Sequence, residues 1–166
     1  MSLKSTLFGI LISLGFVFSA QAQENTRIGG FLAYGTEIEN IGIGANAEFP
    51  IMENLTISPS FIYYLPKKEY MVKVNWFEVN ANANYYFINQ DNLSVYALGG
   101  LNYSSVKVSF DDAWLGSYSS SDGRFGLNLG GGVNFNLGVI TPFAELKYVI
   151  IDGGQLVAGA GVKFNL

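Results

Sequence analysis

Residues 155–166 read QLVAGAGVKFNL. Leu156, Ala158, Ala160, Val162, Phe164 and Leu166 share one parity. Gln155, Gly159, Gly161, Lys163 and Asn165 share the other, with Val157 the single exception. A strand has a side-chain period of 2, so this stretch predicts a strip with one apolar and one polar side. An aromatic residue stands two positions before its end.

The pattern recurs upstream. Segments of the same alternation run over residues 27–34, 41–49, 55–65, 76–87, 93–103, 124–135 and 140–150, which makes eight with the last. Each approximates the ~9–11 residues that a tilted strand needs to cross a bilayer, and the count is even. No window after residue 22 has a helical period. The polar side carries Asn, Gly, Ser, Glu, Lys and Arg and is almost free of aliphatic residues. The apolar side is wide and continuous, as a lipid-facing surface must be. The reading is all-β: an eight-stranded antiparallel transmembrane β-barrel over residues 23–166.

Residues 1–22 read as a cleaved secretion signal. Lys4 supplies its positive start, residues 7–18 its apolar run, and Ala20-Gln21-Ala22 its cleavage pattern. No domain is expected beyond the barrel, so cell-wall tethering is not an expected role. Charged residues are 13 % of the chain, against about 25 % for soluble domains. Of nine Lys and Arg, one is Lys4; the remaining eight face 13 acidic residues. A basic footprint for nucleic acid is missing.

The connections predict the orientation. Those after strands one, three, five and seven include the long ones, 66–72 and 104–123; those after strands two, four and six are short. Long loops belong outside the cell and short turns in the periplasm, so both termini are expected to be periplasmic. Phe49, Phe87, Phe135 and Phe164 would then form a periplasmic aromatic girdle. Tyr34, Tyr63, Phe77, Tyr103, Phe125 and Tyr148 would form the outer one. Pro59 and Pro142 fall mid-strand, where a missing N–H removes a ladder bond, and predict bulges.

At this point the chain resembles the small eight-stranded outer-membrane barrels. These include the OmpA transmembrane domain, the OmpX-like proteins and the outer-membrane β-barrel domain proteins common in Bacteroidota. The resemblance covers the whole mature chain. Its ending, residues 161–166 (GVKFNL), resembles the C-terminal signal read by the outer-membrane assembly machinery. The family usually closes on an aromatic residue; here Leu166 is last. The resemblance implies outer-membrane lipids as surroundings and a monomer, but no single function, cofactor or metal.

Parity points Arg27, Glu48, Glu78, Arg124, Glu145, Lys147 and Lys163 inward. Eight strands leave room for side chains and little else. Paired charges and the amides of Asn80, Asn82 and Asn84 predict a polar plug, since buried charges must pair or stay wet. A narrow porin-like channel is the alternative. A lipid-modifying enzyme is a third reading. The enzymes of this size and kind use a catalytic His, and the chain has none.

The stretch 104–123 is locally distinctive. Val106, Val108 and Phe110 alternate on the parity opposite to residues 93–103. Either a bulge shifts the register, or the strand has left the membrane. A projecting hairpin with an aromatic, acidic tip (Phe110, Asp111, Asp112, Trp114, Tyr118) is the candidate surface for an unidentified ligand. The expected role is structural or adhesive, without catalysis.

Overall fold

The computed structural model describes residues 26–69, 72–112 and 116–166. The predicted signal lies outside them. Eight strands follow one another: β1 Arg27–Gly35, β2 Asn40–Met52, β3 Leu55–Glu69, β4 Val72–Asn89, β5 Leu93–Asp112, β6 Gly116–Phe135, β7 Ile140–Ile150 and β8 Gln155–Asn165. Each pairs antiparallel with its neighbour, and β1 pairs with β8, so the sheet closes into a barrel without an edge.

Exposure is inverted relative to a soluble protein. Leu32, Ile43, Leu101, Leu127 and Leu129 are exposed on the outside, while Glu48, Glu78, Asn80 and Lys163 are buried inside. Such a surface is at home in hydrocarbon, where the closed ladder pairs backbone groups that lipid cannot.

β7 and β8 have 11 residues each, but β5 and β6 have 20. The β6–β7 pairing ends at Leu127↔Ile150, whereas β5–β6 pairing runs on to Asp112↔Gly116. At ~3.3 Å per residue, the β5–β6 hairpin stands on the order of 35 Å of strand beyond its neighbour on that side. β4 follows β5 as far as Val72↔Phe110. What reads in sequence as long loops is largely paired strand, forming a ridge at the end of the barrel away from the termini.

The parity change at Val106 has no bulge behind it. β5–β6 pairs run unbroken from Leu93↔Phe135 to Asp112↔Gly116. Side chains keep their directions and the polarity of the faces inverts. Below Phe77 and Tyr103 the outward residues are apolar. Above them, Lys73, Asn75, Lys107 and Ser109 stand outward, and Trp76, Val106 and Val108 share the inward parity. An outward face that turns polar at that level no longer suits lipid.

The expected bulges at Pro59 and Pro142 are absent. Register shifts fall instead at Pro50/Met52, Tyr64/Lys67 and Tyr86/Ile88. Pro59 pairs in register with Ala81, and Pro142 with Val162. On the other flank of each proline the ladder lapses: β2–β3 pairing skips from Asn46↔Ser60 to Phe49↔Ile57, and β6–β7 pairing stops at Asn134↔Phe143. A missing N–H faces one neighbour only, so each proline opens one side of its strand without inserting a residue.

Candidate functional site: a filled lumen and an asymmetric mouth

Two ionic clusters fill the lumen. Near the termini, Glu48 (1 % exposed) collects four donors. Lys163 Nζ donates to its Oε2 at 2.8 Å, and Arg27 Nη2 to its Oε1 at 3.1 Å. Thr56 Oγ1 donates to the same Oε1 at 3.0 Å, and the Tyr86 hydroxyl also donates there. Asn134 ties the group together, accepting from Lys163 at 3.2 Å and donating to the Tyr86 hydroxyl at 2.9 Å. β1, β2, β3, β4, β6 and β8 each contribute a side chain, so the cluster spans the barrel's cross-section.

Towards the ridge, Glu78 (0 % exposed) is the centre of the second cluster. Lys147 Nζ donates to its Oε2 at 3.0 Å and to Asn80 Oδ1 at 2.9 Å. Gln155 Nε2 and the Tyr64 hydroxyl donate to Glu78 Oε1 at 2.6 and 3.2 Å. Amides continue the network: Asn102 donates to Asn80 at 2.8 Å, and Asn128 bridges Asn80 and Asn82 at 2.9 and 2.8 Å. Charge-assisted bonds of this kind offset the desolvation of the ions they hold. Asn84 is buried as well, yet its amide finds no partner among the described residues.

Arg124 does not join either cluster. It is 55 % exposed and pairs with Asp122 at 2.8 Å. β7 ends at Ile150, so at the level of Arg124 no strand closes the barrel beside β6. The buried network therefore balances three cations, Arg27, Lys147 and Lys163, against Glu48, Glu78 and Glu145. Among the described residues Glu145 makes no ion pair; its Oε2 accepts from Tyr96 OH at 2.7 Å.

The inner face is also less polar than its sequence suggests. Ala33, Ile62, Tyr64, Val149 and Val157 form one buried cluster, and Tyr86, Tyr96 and Leu98 another. Phe31 and Phe143 stack edge-on at 5.8 Å, and Lys163 Nζ lies 4.6 Å from the Phe143 ring centroid. Sequence reasoning passed over these aromatics. The signal was present in the pairing: Phe31 stands opposite Gly44 and Gly161, and Tyr96 opposite Gly132. A neighbour without a side chain leaves room for a ring to fold over it.

Between the mouths, the void beside Phe143, Glu145 and Lys147 measures only about 10 Å³. That is room for about one water molecule. The mouth at the termini opens into about 480 Å³ around Arg27, Glu53 and Asp91, and the mouth under the ridge into about 350 Å³.

Phe49, Phe87, Phe135 and Phe164 are exposed outward on the even-numbered strands at the termini end. Tyr34, Tyr63, Phe125 and Tyr148 are exposed towards the other end. Phe77 and Tyr103 are half-buried there because they join a chain of rings: Phe61 to Phe77 at 5.9 Å, Phe77 to Tyr103 at 6.4 Å, Tyr103 to Phe125 at 5.0 Å. At the ridge tip Tyr118 is 71 % exposed and opposes Phe110, while Asp111 opposes Ser117 and Asp112 opposes Gly116. Trp114 and the side chains of Phe110, Asp111 and Asp112 lie outside the described residues.

An apolar belt between two aromatic bands, a closed ladder and a charge-filled interior define a small outer-membrane β-barrel. Solved structures share the fold. The N-terminal β-barrel domain of Pseudomonas aeruginosa OprF aligns with a TM-score of 0.67 at 17 % identity, covering 88 % of this chain and 100 % of that one. Neisserial surface protein A gives 0.64 at 16 %, covering 87 % and 98 %. The Yersinia pestis attachment invasion locus protein Ail gives 0.59 at 19 %, covering 86 % and 99 %. No curated protein matches the sequence. The chain belongs to the outer membrane protein β-barrel domain family, whose model matches residues 8–164.

Proposed function

We propose that this is a non-catalytic, monomeric barrel with both termini in the periplasm, working through the surface of its ridge rather than through its lumen. The polarity inversion above Phe77 and Tyr103 carries the reading. Of the eight basic residues after the signal, three are in the lumen; the other five, Lys67, Lys68, Lys73, Lys107 and Arg124, all fall on the outer halves of β3–β6. Lys68 pairs directly with Lys73, and Lys107 lies diagonally across from Lys73, whose direct partner is Ser109. Like charges on neighbouring strands, as Lys73 and Lys107 are, repel unless an anion lies between them. The outward residues beside them on β5 and β6 are Ser109, Ser119 and Ser121. Ammonium groups among hydroxyls suit an anionic saccharide, either in the cell's own outer leaflet or on a foreign surface. Ail has been crystallised with the heparin analogue sucrose octasulfate, which fits the same chemistry.

The test replaces residues 110–121 with a short Gly/Ser linker and, separately, Lys73 and Lys107 with Gln. Heat-modifiable migration should survive both changes, because the closed ladder and the belt hold the fold. Binding of the purified barrel to immobilised heparin, and its co-purification with lipopolysaccharide, should fall at least fivefold in Lys73→Gln/Lys107→Gln for whichever source is the partner. Unchanged binding to both sources contradicts the proposal. Collapse of folding in the linker variant makes the ridge a structural cap.

A further inference from the structure

The ridge has two unlike faces. Lys73 and Lys107 stand on the outward one, and Trp76, Val106 and Val108 share the inward parity. With Ile151 these three line a recess of about 350 Å³ under the ridge. All four residues are half-buried, so their apolar surface is partly open to a ligand. The volume is at the lower end of the ~300–1,000 Å³ typical of small-molecule pockets.

The recess is tall on one side and low on the other. β4, β5 and β6 run on above the level where β7 ends at Ile150. The low side is made by the turns after β1 and β7. The first turn is held to the start of β8: Thr36 N–H donates to the Leu156 carbonyl at 3.0 Å, and Leu156 N–H donates to Thr36 Oγ1 at 3.1 Å. Glu37 on the first turn and Asp152 on the second both line the recess, and both are exposed. Asp122 and Arg124, also at its edge, pair with each other at 2.8 Å. Glu37 and Asp152 have no ion pair among the described residues. The low lip therefore holds two uncompensated carboxylates beside apolar walls.

From this we infer that the recess binds a compact organic ammonium ion. Its hydrocarbon body lies against Trp76, Val106, Val108 and Ile151, and its charge sits at the lip near Glu37 and Asp152. Burying the body removes apolar surface from water, while the ammonium stays hydrated at the open side, as the head of a lysine does above its stem. Attraction from exposed carboxylates acts over about a Debye length, ~8 Å at physiological salt, so it asks for no directed hydrogen bond. An anion of the same shape meets the wrong sign, and a neutral molecule gains only the walls. The site faces away from the ridge's outward lysines and does not rest on their role.

The probe is cyclohexylmethylammonium, titrated at neutral pH into the ¹⁵N-Trp-labelled barrel in nanodiscs of zwitterionic lipid. The chain has two tryptophans, so Trp114→Phe assigns the Trp76 indole resonance. That resonance should move saturably. Cyclohexylmethanol should bind about tenfold more weakly, and cyclohexanecarboxylate more weakly still. Glu37→Gln/Asp152→Asn should bring the ammonium down to the affinity of the alcohol. Both residues stand on exposed turns, so this arm leaves the folded barrel intact. Val108→Phe, which fills the recess, should abolish the shift while the barrel remains heat-modifiable; Ile151→Trp serves as a second filling variant. A shift that grows without saturation, or that persists in a folded filling variant, overturns the site and leaves partition into the bilayer only. Equal affinity for the ammonium and the alcohol, or no loss in Glu37→Gln/Asp152→Asn, overturns the choice of a cation.

Discussion

Glu48→Ala should cost about 3–5 kcal/mol of folding free energy, the largest loss expected from any single lumen substitution. Breaking a buried ion pair from one side strands the remaining charge, and that stranded charge sets the scale. Here two cations share one carboxylate, Lys163 at 2.8 Å and Arg27 at 3.1 Å. Lys163 is 1 % exposed and has no route to water, whereas Arg27 at 16 % can turn to the mouth. The double variant Glu48→Leu/Lys163→Met should therefore recover most of the loss, since an ion pair replaced by apolar groups of similar volume is often neutral. Urea unfolding in lipid vesicles measures both variants. A loss below about 1 kcal/mol for Glu48→Ala would mean that water enters the cluster and screens it.

Gly130→Ala should destabilise the barrel by about 1–3 kcal/mol, and Gly99→Ala should stay within about 0.5 kcal/mol. The two glycines are separated by geometry alone. A Cβ at Gly130 would meet the Leu146 carbonyl oxygen at 2.2 Å and Lys147 Cα at 2.6 Å. Those are backbone atoms of β7, and they give way only if the β6–β7 ladder spreads. A Cβ at Gly99 points outward and meets nothing closer than 3.9 Å. Lys147, which holds Glu78 at 3.0 Å, would shift with β7, so the Gly130 variant should also loosen the second ionic cluster. Equal stability of the two variants would remove the close β6–β7 approach from the account.

Strand number, strand order and the lipid face were legible because lipid and lumen impose opposite polarity on alternate residues, and a period of 2 is visible in one sequence. The same parity pointed Arg27, Glu48, Glu78, Glu145, Lys147 and Lys163 inward, where the structure has them. It also pointed Arg124 inward, and there it misled. Parity gives a side but not a height, and Arg124 stands above the end of β7. The lumen aromatics were equally on the inward parity. They were missed because the polar residues drew the reading, although a glycine opposite each of Phe31 and Tyr96 marked the space for a ring. The bulges were not legible: proline announces itself in sequence, whereas the shift at Tyr86/Ile88 follows from how neighbouring strands fit.

The closed lumen is the centre of the account, since the proposed function lies at the ridge and not in a channel. Both mouths are open, and between them the lumen is filled by residues bound to Glu48 and Glu78. The direct measurement is planar-bilayer recording of the purified, folded barrel. The account predicts no steady conductance, either in the wild type or in Lys73→Gln/Lys107→Gln. Stable, reproducible single channels whose ion selectivity changes in Glu78→Gln would contradict it and make the protein a narrow pore.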